Sequence, residues 1–255
     1  MKKNTFITYL LICLCAFLLS ACCKVETVRI RSYVVAFGEP TSLRIELTDS
    51  NNIALYWTNF SRWTFFQSTG LDGVRYDELA ALYNDLSYNR IIEFWGTPPG
   101  RSYVSNGIVS IDVRSNRDFD AEHPVGTSLA GFVRLLSVSP IRFIESGYQE
   151  TFDWCNDYPV DFLRETAIFE DWAPLRQNHF PVNEMLSKLE PDDFRLLGTG
   201  DRFPQSSDGL GWFFGFLVFD KKPENLGTHN LTVTIRRTNG RMLSQTIEKT
   251  FGGSK

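Results

Sequence analysis

The sequence predicts a mainly β protein, an antiparallel immunoglobulin-like sandwich with one or two short helices. Three observations predict it. Apolar and polar residues alternate over short runs, as in Leu43-Arg44-Ile45-Glu46-Leu47, the period of a half-buried strand. Turn-forming clusters such as Asp49-Ser50-Asn51-Asn52 separate these runs, and no regular strand–helix alternation points to βαβ units. Trp212 to Phe219 is unbroken apolar sequence, as expected of a strand covered on both faces.

The chain begins with Met1-Lys2-Lys3, then an uncharged, mostly apolar run from Phe6 to Ala21. That run has the length of a signal-peptide core and is short for a helix crossing roughly 30 Å of hydrocarbon. It ends in Leu19-Ser20-Ala21-Cys22, small residues before a cut and a thiol directly after it. The motif resembles the lipobox of bacterial lipoproteins. That resemblance implies cleavage after Ala21, acylation of Cys22 and attachment to a membrane through lipid. Two or three acyl chains hold a protein stably where one does not, since each buried methylene contributes about 0.8 kcal/mol. In such lipoproteins an Asp after the modified Cys favours the inner membrane; here that place is Cys23, so the outer membrane is expected, in either leaflet. The expected organisation is a signal peptide at 1–21, a lipidated tether at 22–27 and one β-sandwich domain at 28–255, with a boundary near residue 140 as the alternative.

Further elements follow in order. Val28, Ile30 and Tyr33-Val34-Val35 open the first strand, and Ile53 to Trp57 is the return strand after the Asp49–Asn52 turn. Leu79, Leu82, Tyr83 and Leu86 fall at helical spacing and predict a short amphipathic helix over Tyr76 to Leu86. Ile91 to Trp95 reads as a strand, and Asn106-Gly107 predicts a hairpin joining Tyr103-Val104 to Ile108–Val113. Gly131 to Val138 is another apolar stretch. Between Pro140 and Gly211, prolines at 159, 174, 181, 191 and 204 break the pattern, leaving long connections with one or two helical turns at Val182 to Leu189. At the end, Leu231–Ile235 and Leu243–Phe251 flank Asn239-Gly240. A three-residue loop with Gly240 left-handed sets Val233 opposite Ile247, whereas a two-residue loop sets it opposite Thr246, so the longer loop is expected.

Composition removes several function classes. The 26 basic residues lose Lys2 and Lys3 with the signal, leaving 24 against 30 acidic, a net charge of −6. With no basic run interleaved with aromatics, no nucleic-acid partner is expected. Cys13 and Cys15 leave with the signal, and Cys23 and Cys155 are too few for a disulfide framework; whether they pair is open. The chain has no Gly-x-Ser-x-Gly elbow, no zinc-ligand spacing and no Gly-rich phosphate loop, so neither catalytic residues nor a cofactor is expected. His123 precedes Pro124 in an acidic loop and His229 opens a strand, places that usually carry surface histidines. Asp118, Asp120 and Glu122 would share one side of an extended segment and are weak candidates for a hard cation; a solvated acidic loop is the preferred reading. Trp63, Trp154 and Trp172 lie in aromatic-rich stretches that could stack on a ligand, with internal packing the preferred reading.

The stretch from Ile111 to Leu129, including Asp118-Phe119-Asp120-Ala121-Glu122-His123-Pro124, and the terminal hairpin resemble uncharacterised lipoproteins of Bacteroidota. The likeness implies location rather than activity. The expected function is therefore a lipid-anchored envelope module, non-catalytic, binding a glycan or another envelope protein. The alternatives are a carboxylate-based glycan hydrolase and a structural accessory of an outer-membrane complex.

Expressed in a bacterial host with a fatty-acid probe, the wild-type chain should incorporate label and Cys22→Ser should not; equal labelling refutes the anchor.

Overall fold

The computed structural model describes residues 25–48, 51–95, 101–105, 107–154, 177–198, 200 and 211–252. The predicted signal peptide, Cys22, Cys23, Cys155 and Trp172 lie outside them. The chain is mainly β, and its described residues fall into two compact units. In the smaller, β1 (Val25–Ile30) pairs antiparallel with β4 (Arg90–Trp95), from Val25 opposite Trp95 to Ile30 opposite Arg90.

The larger unit holds two sheets. Strands β2 (Val34–Leu47), β3 (Ile53–Phe65), β5 (Arg101–Val104), β7 (Val133–Ser139), β8 (Phe180–Met185) and β9 (Trp212–Phe219) form one, in the order β5-β2-β3-β9-β7-β8. Strands β6 (Ile108–Ser115), β10 (Gly227–Arg237) and β11 (Met242–Phe251) form the other, in the order β11-β10-β6. One core joins them: Ile53, Leu55, Leu135, Phe214 and Leu217 from the larger sheet meet Ile111, Val113, Leu231, Val233 and Ile235 from the smaller. Burying each such side chain contributes roughly 1.5–3 kcal/mol. The opposite face of the larger sheet is apolar too, with Ala54, Tyr56, Leu136, Val138, Phe213, Phe216 and Val218 around Trp154. Immunoglobulin-like order finds no specific support in this topology.

The β2–β3 hairpin forms where the alternation placed it, Leu47 opposite Ile53. Asn51 takes the left-handed φ of 63° that closes the turn, a conformation Asn tolerates better than most residues. The predicted first strand is instead cut at Arg31–Tyr33, so that Val28 and Ile30 belong to β1 and Val34 to β2. Pro40 has no N–H to give, and the ladder slips between Glu39 and Pro40. The carbonyl of Pro40 accepts from Nη1 of the buried Arg237 at 2.7 Å, tying β2 to the smaller sheet; burial pushes that guanidinium down to about 10.

The predicted helix exists with different bounds, as α1 (Gly70–Leu82). Its buried stripe is Tyr76 and Ala80, continued by Tyr83 past the helix end, while Leu82 is exposed. The aromatic stripe wins because it meets Phe37, with ring centroids 5.7 Å from Tyr76 and 5.9 Å from Tyr83. Asn84 at φ 55° stops the helix: its N–H reaches Ala81 O at 3.0 Å, and Asp85 N–H reaches Ala80 O at 2.9 Å, the bond pattern of a Schellman ending. That turn swings Asp85 inward. Its carboxylate accepts from Tyr33 N (2.6 Å), Val34 N (2.7 Å) and Tyr148 Oη (2.9 Å), fixing the start of β2. Burial nevertheless raises its pKa, against the pull of those three bonds. A second short helix, α2 (Ile141–Glu145), adds Phe143 and Ile144 to the same cluster.

Three other expectations are corrected. Tyr103-Val104 and Ile108–Val113 do not form a hairpin: β5 lies parallel to β2, the one parallel pair among the described ladders, while β6 pairs with β10. Gly107 therefore lies where the chain passes from one sheet to the other. Val182 to Leu189 is not helical at its start, because Val182 to Met185 form part of edge strand β8, where Pro181 is tolerated. The terminal hairpin has the three-residue loop and the left-handed Gly240, at φ 78°, but Val233 faces Gln245. Gly240 is the last loop residue, with Gly240 N–H to Arg237 O and Arg237 N–H to Arg241 O both 2.9 Å. This register makes two apolar pairs, Leu231 with Ile247 and Ile235 with Leu243. It also brings hydroxyls together across the outer face, Thr232 with Thr246 and Thr234 with Ser244. The expected register had one apolar pair.

Candidate functional site

Two surfaces of the larger unit combine exposure with chemistry. The first is a ledge of aromatic rings. Trp63 stacks on Phe60 with centroids 4.5 Å apart, lies 4.9 Å from Trp212 and 6.4 Å from Phe65. Two backbone irregularities assemble it. Asn59 sits at φ 52°, just before the slip opposite Glu39 and Pro40. Where β3 pairs with β9 the register shifts between Leu55 and Tyr56, leaving Phe214 as the extra residue on β9, so that Phe213 joins the outer cluster and Phe214 the inner one. A one-residue shift reverses side-chain facing, and here it turns Trp212 to the side of Trp57 and Phe60. The Phe214 carbonyl at the bulge accepts from the Ser137 hydroxyl.

Glycine makes the ledge possible. Gly38 stands opposite Trp63 in the ladder, and a Cβ there would lie 2.6 Å from Phe60 Cδ1 and 2.8 Å from the Trp63 ring. The rings rest directly on the backbone of β2. Trp63 is half-buried and Phe65 is 49% exposed. The nearby carboxylates are engaged, Glu39 by Arg75 and Asp72 by Arg62.

The second surface is an open cleft of about 450 Å³ at one end of the smaller sheet, lined by Asn116, Arg117, Asp118, Val125, Asn225, Leu226 and His229. Asn116 prolongs the β6–β10 ladder: its N–H reaches Asn230 O at 3.1 Å, and its Oδ1 accepts from Asn230 N at 2.8 Å. Arg117 Nη1 donates to Thr228 O at 3.0 Å, and Asp118 Oδ1 accepts from Val125 N at 2.7 Å. His229 is a correction, for it is buried, 1% exposed. Its Nε2 faces the Asn225 carbonyl at 3.3 Å, which can only accept, so Nδ1 accepts from the Ser115 hydroxyl at 2.8 Å. Ser115 is itself buried and takes Arg117 N–H at 3.1 Å, so the pair fastens the strand end.

The three acidic candidates diverge. Phe119 plugs the core, 0% exposed, and the chain bends around it instead of running extended. Asp118 and Glu122 face solvent, whereas Asp120 turns inward, its carboxylate accepting from Lys221 Nζ (2.6 Å), His123 Nδ1 (2.7 Å) and the N–H groups of Glu122 and His123. Lys221 first, then His123, hold its carboxyl well below the usual range. Among the described residues no three His, Cys, Asp or Glu gather as metal ligands. Trp154 is buried, its Nε1 donating to His179 O at 3.0 Å; Trp172 lies outside the described residues.

At the two surfaces, Trp63, the Asp118 loop and His229 stood out in sequence. Phe60 and Trp212 join the ledge through irregularities that no local pattern announces, and Ser115 and His229 meet across 114 positions. The chain matches no protein family, no curated protein and no solved structure.

Asp120 supplies a pH test. A carboxyl whose folded pKa is depressed stabilises above its unfolded value of about 3.9 and loses that contribution as pH falls through the folded value. Asp120→Asn should be less stable than wild type at neutral pH in urea denaturation, with the difference shrinking below about pH 4. A difference independent of pH would refute the ionic role.

Proposed function

We propose that this chain is an exported, lipid-anchored protein of the cell envelope, its β domain a non-catalytic module that binds carbohydrate on the Phe60–Trp63–Phe65–Trp212 ledge. The observation that carries the reading is a half-exposed stack of rings standing on a glycine, next to ion-paired side chains. An aromatic face offers apolar area with partial negative charge, which suits the C–H face of a sugar ring. A rigid sheet supplies the fixed geometry that a binding surface needs. Hydrolysis would require two carboxylates free to act at a fixed separation, and Glu39 and Asp72 beside the ledge are each held by an arginine. The lipobox motif supports a lipid anchor on Cys22, and Cys23 in place of an Asp supports the outer membrane.

A glycan array probed with the mature protein tests the reading. Saturable binding is expected, weakened roughly tenfold or more by Phe65→Ala or Trp63→Ala at unchanged circular dichroism. Absence of glycan binding, or binding indifferent to both substitutions, contradicts it; recovery of one envelope protein through the same ledge would instead support a protein partner.

A further inference from the structure

The cleft at the end of the smaller sheet is separate from the ledge and has a chemistry of its own. It sets a guanidinium, a carboxylate and two amide side chains around two aliphatic side chains, Val125 and Leu226, each 59% exposed. Its volume of about 450 Å³ falls in the range of small-ligand sites, roughly 300–1,000 Å³.

The lining groups are held before any ligand arrives. Thr228 O fixes one Nη of Arg117, and the planar fork has further N–H donors. Val125 N–H fixes one oxygen of Asp118, and the carboxylate has a second. Asn116 spends its Oδ1 on Asn230 N–H, and its amide also carries two N–H donors. Leu226 is propped on Gly252, where a Cβ would lie 2.7 Å from Leu226 Cδ1. Ordering side chains in advance removes part of the entropic cost of binding.

We propose that this cleft is a binding site for a free peptide C-terminus whose last residue is aliphatic. The guanidinium of Arg117 takes the terminal carboxylate, since its fork matches that group in a way an ammonium does not. Val125 and Leu226 take the last side chain, covering apolar surface that both otherwise present to water. Asp118 accepts a peptide N–H, and Asn116 donates to a peptide carbonyl. The C–H face of a sugar lacks a stacking partner here, because the lining residues offer no exposed aromatic face.

Chemical-shift titration of the isotope-labelled mature chain tests this, with alanyl-leucine and alanyl-leucinamide as probes. The acid should shift amides of Asn116–Asp118, Val125 and Leu226 saturably, and bind roughly tenfold more tightly than the amide. Arg117→Gln should abolish that difference between the probes. Val125→Asn, which keeps the backbone N–H to Asp118, should weaken both. No saturable shift at the cleft, equal affinity for acid and amide, or an acid preference that survives Arg117→Gln each overturns the proposal. Glycan binding through Trp63 is unaffected by any of these outcomes, so the two sites fail or stand separately.

Discussion

On β9, Phe214 and Leu217 enter the core between the sheets while Phe213, Phe216 and Val218 enter the cluster on the other side. All five are buried. A strand with this composition is stable only in a sheet covered on both faces, because leaving either face in water would forfeit about 25 cal/mol for each Å² of apolar surface. The smaller sheet covers one face. At the β2–β5 end, α1 and α2 bring Tyr76, Ala80, Tyr83, Phe143 and Ile144 against Val34, Phe37 and Tyr103. The ledge carries the same apolar surface onward through rings that pack on one another where burial is incomplete.

Such burial strands polar groups, and several of them are met by specific bonds. Asp85 is 0% exposed and satisfies two backbone N–H groups at the start of β2. Arg237 takes the carbonyl at the Pro40 slip, and Ser137 takes the carbonyl at the Phe214 bulge. An unmet buried donor or acceptor costs about 1–3 kcal/mol, so these residues set where strands begin and bend. The bends in turn decide where function can lie. The shift on β9 delivers Trp212 to the ledge, and the bend after Ser115 opens the cleft around Arg117.

Much of the fold was legible because its signals are local. Period-two alternation marked β2, the apolar run marked β9, and Asn239-Gly240 marked the last turn. The errors fell where a distant partner outweighs a local pattern. Asn106-Gly107 reads as a hairpin turn, yet β5 finds its ladder on β2 and β6 on β10. Leu79, Leu82 and Tyr83 suggest the buried face of α1, but Leu82 is exposed, and Phe37, distant in sequence, draws in Tyr76 beside Tyr83. The site was less legible still. Alternation gathers Asp118, Asp120 and Glu122 on one side only if the segment is extended, and Phe119 enters the core and bends it.

Hydrogen–deuterium exchange on the mature chain measures the central claim, that β9 is the buried axis of the larger unit. Strands enclosed on both faces and paired on both edges open only with global unfolding. The amides of Phe213 to Val218 should therefore be among the slowest to exchange, well behind those of the edge strands β8 and β11. Exchange of β9 as fast as that of β11 would contradict a sheet closed on both faces.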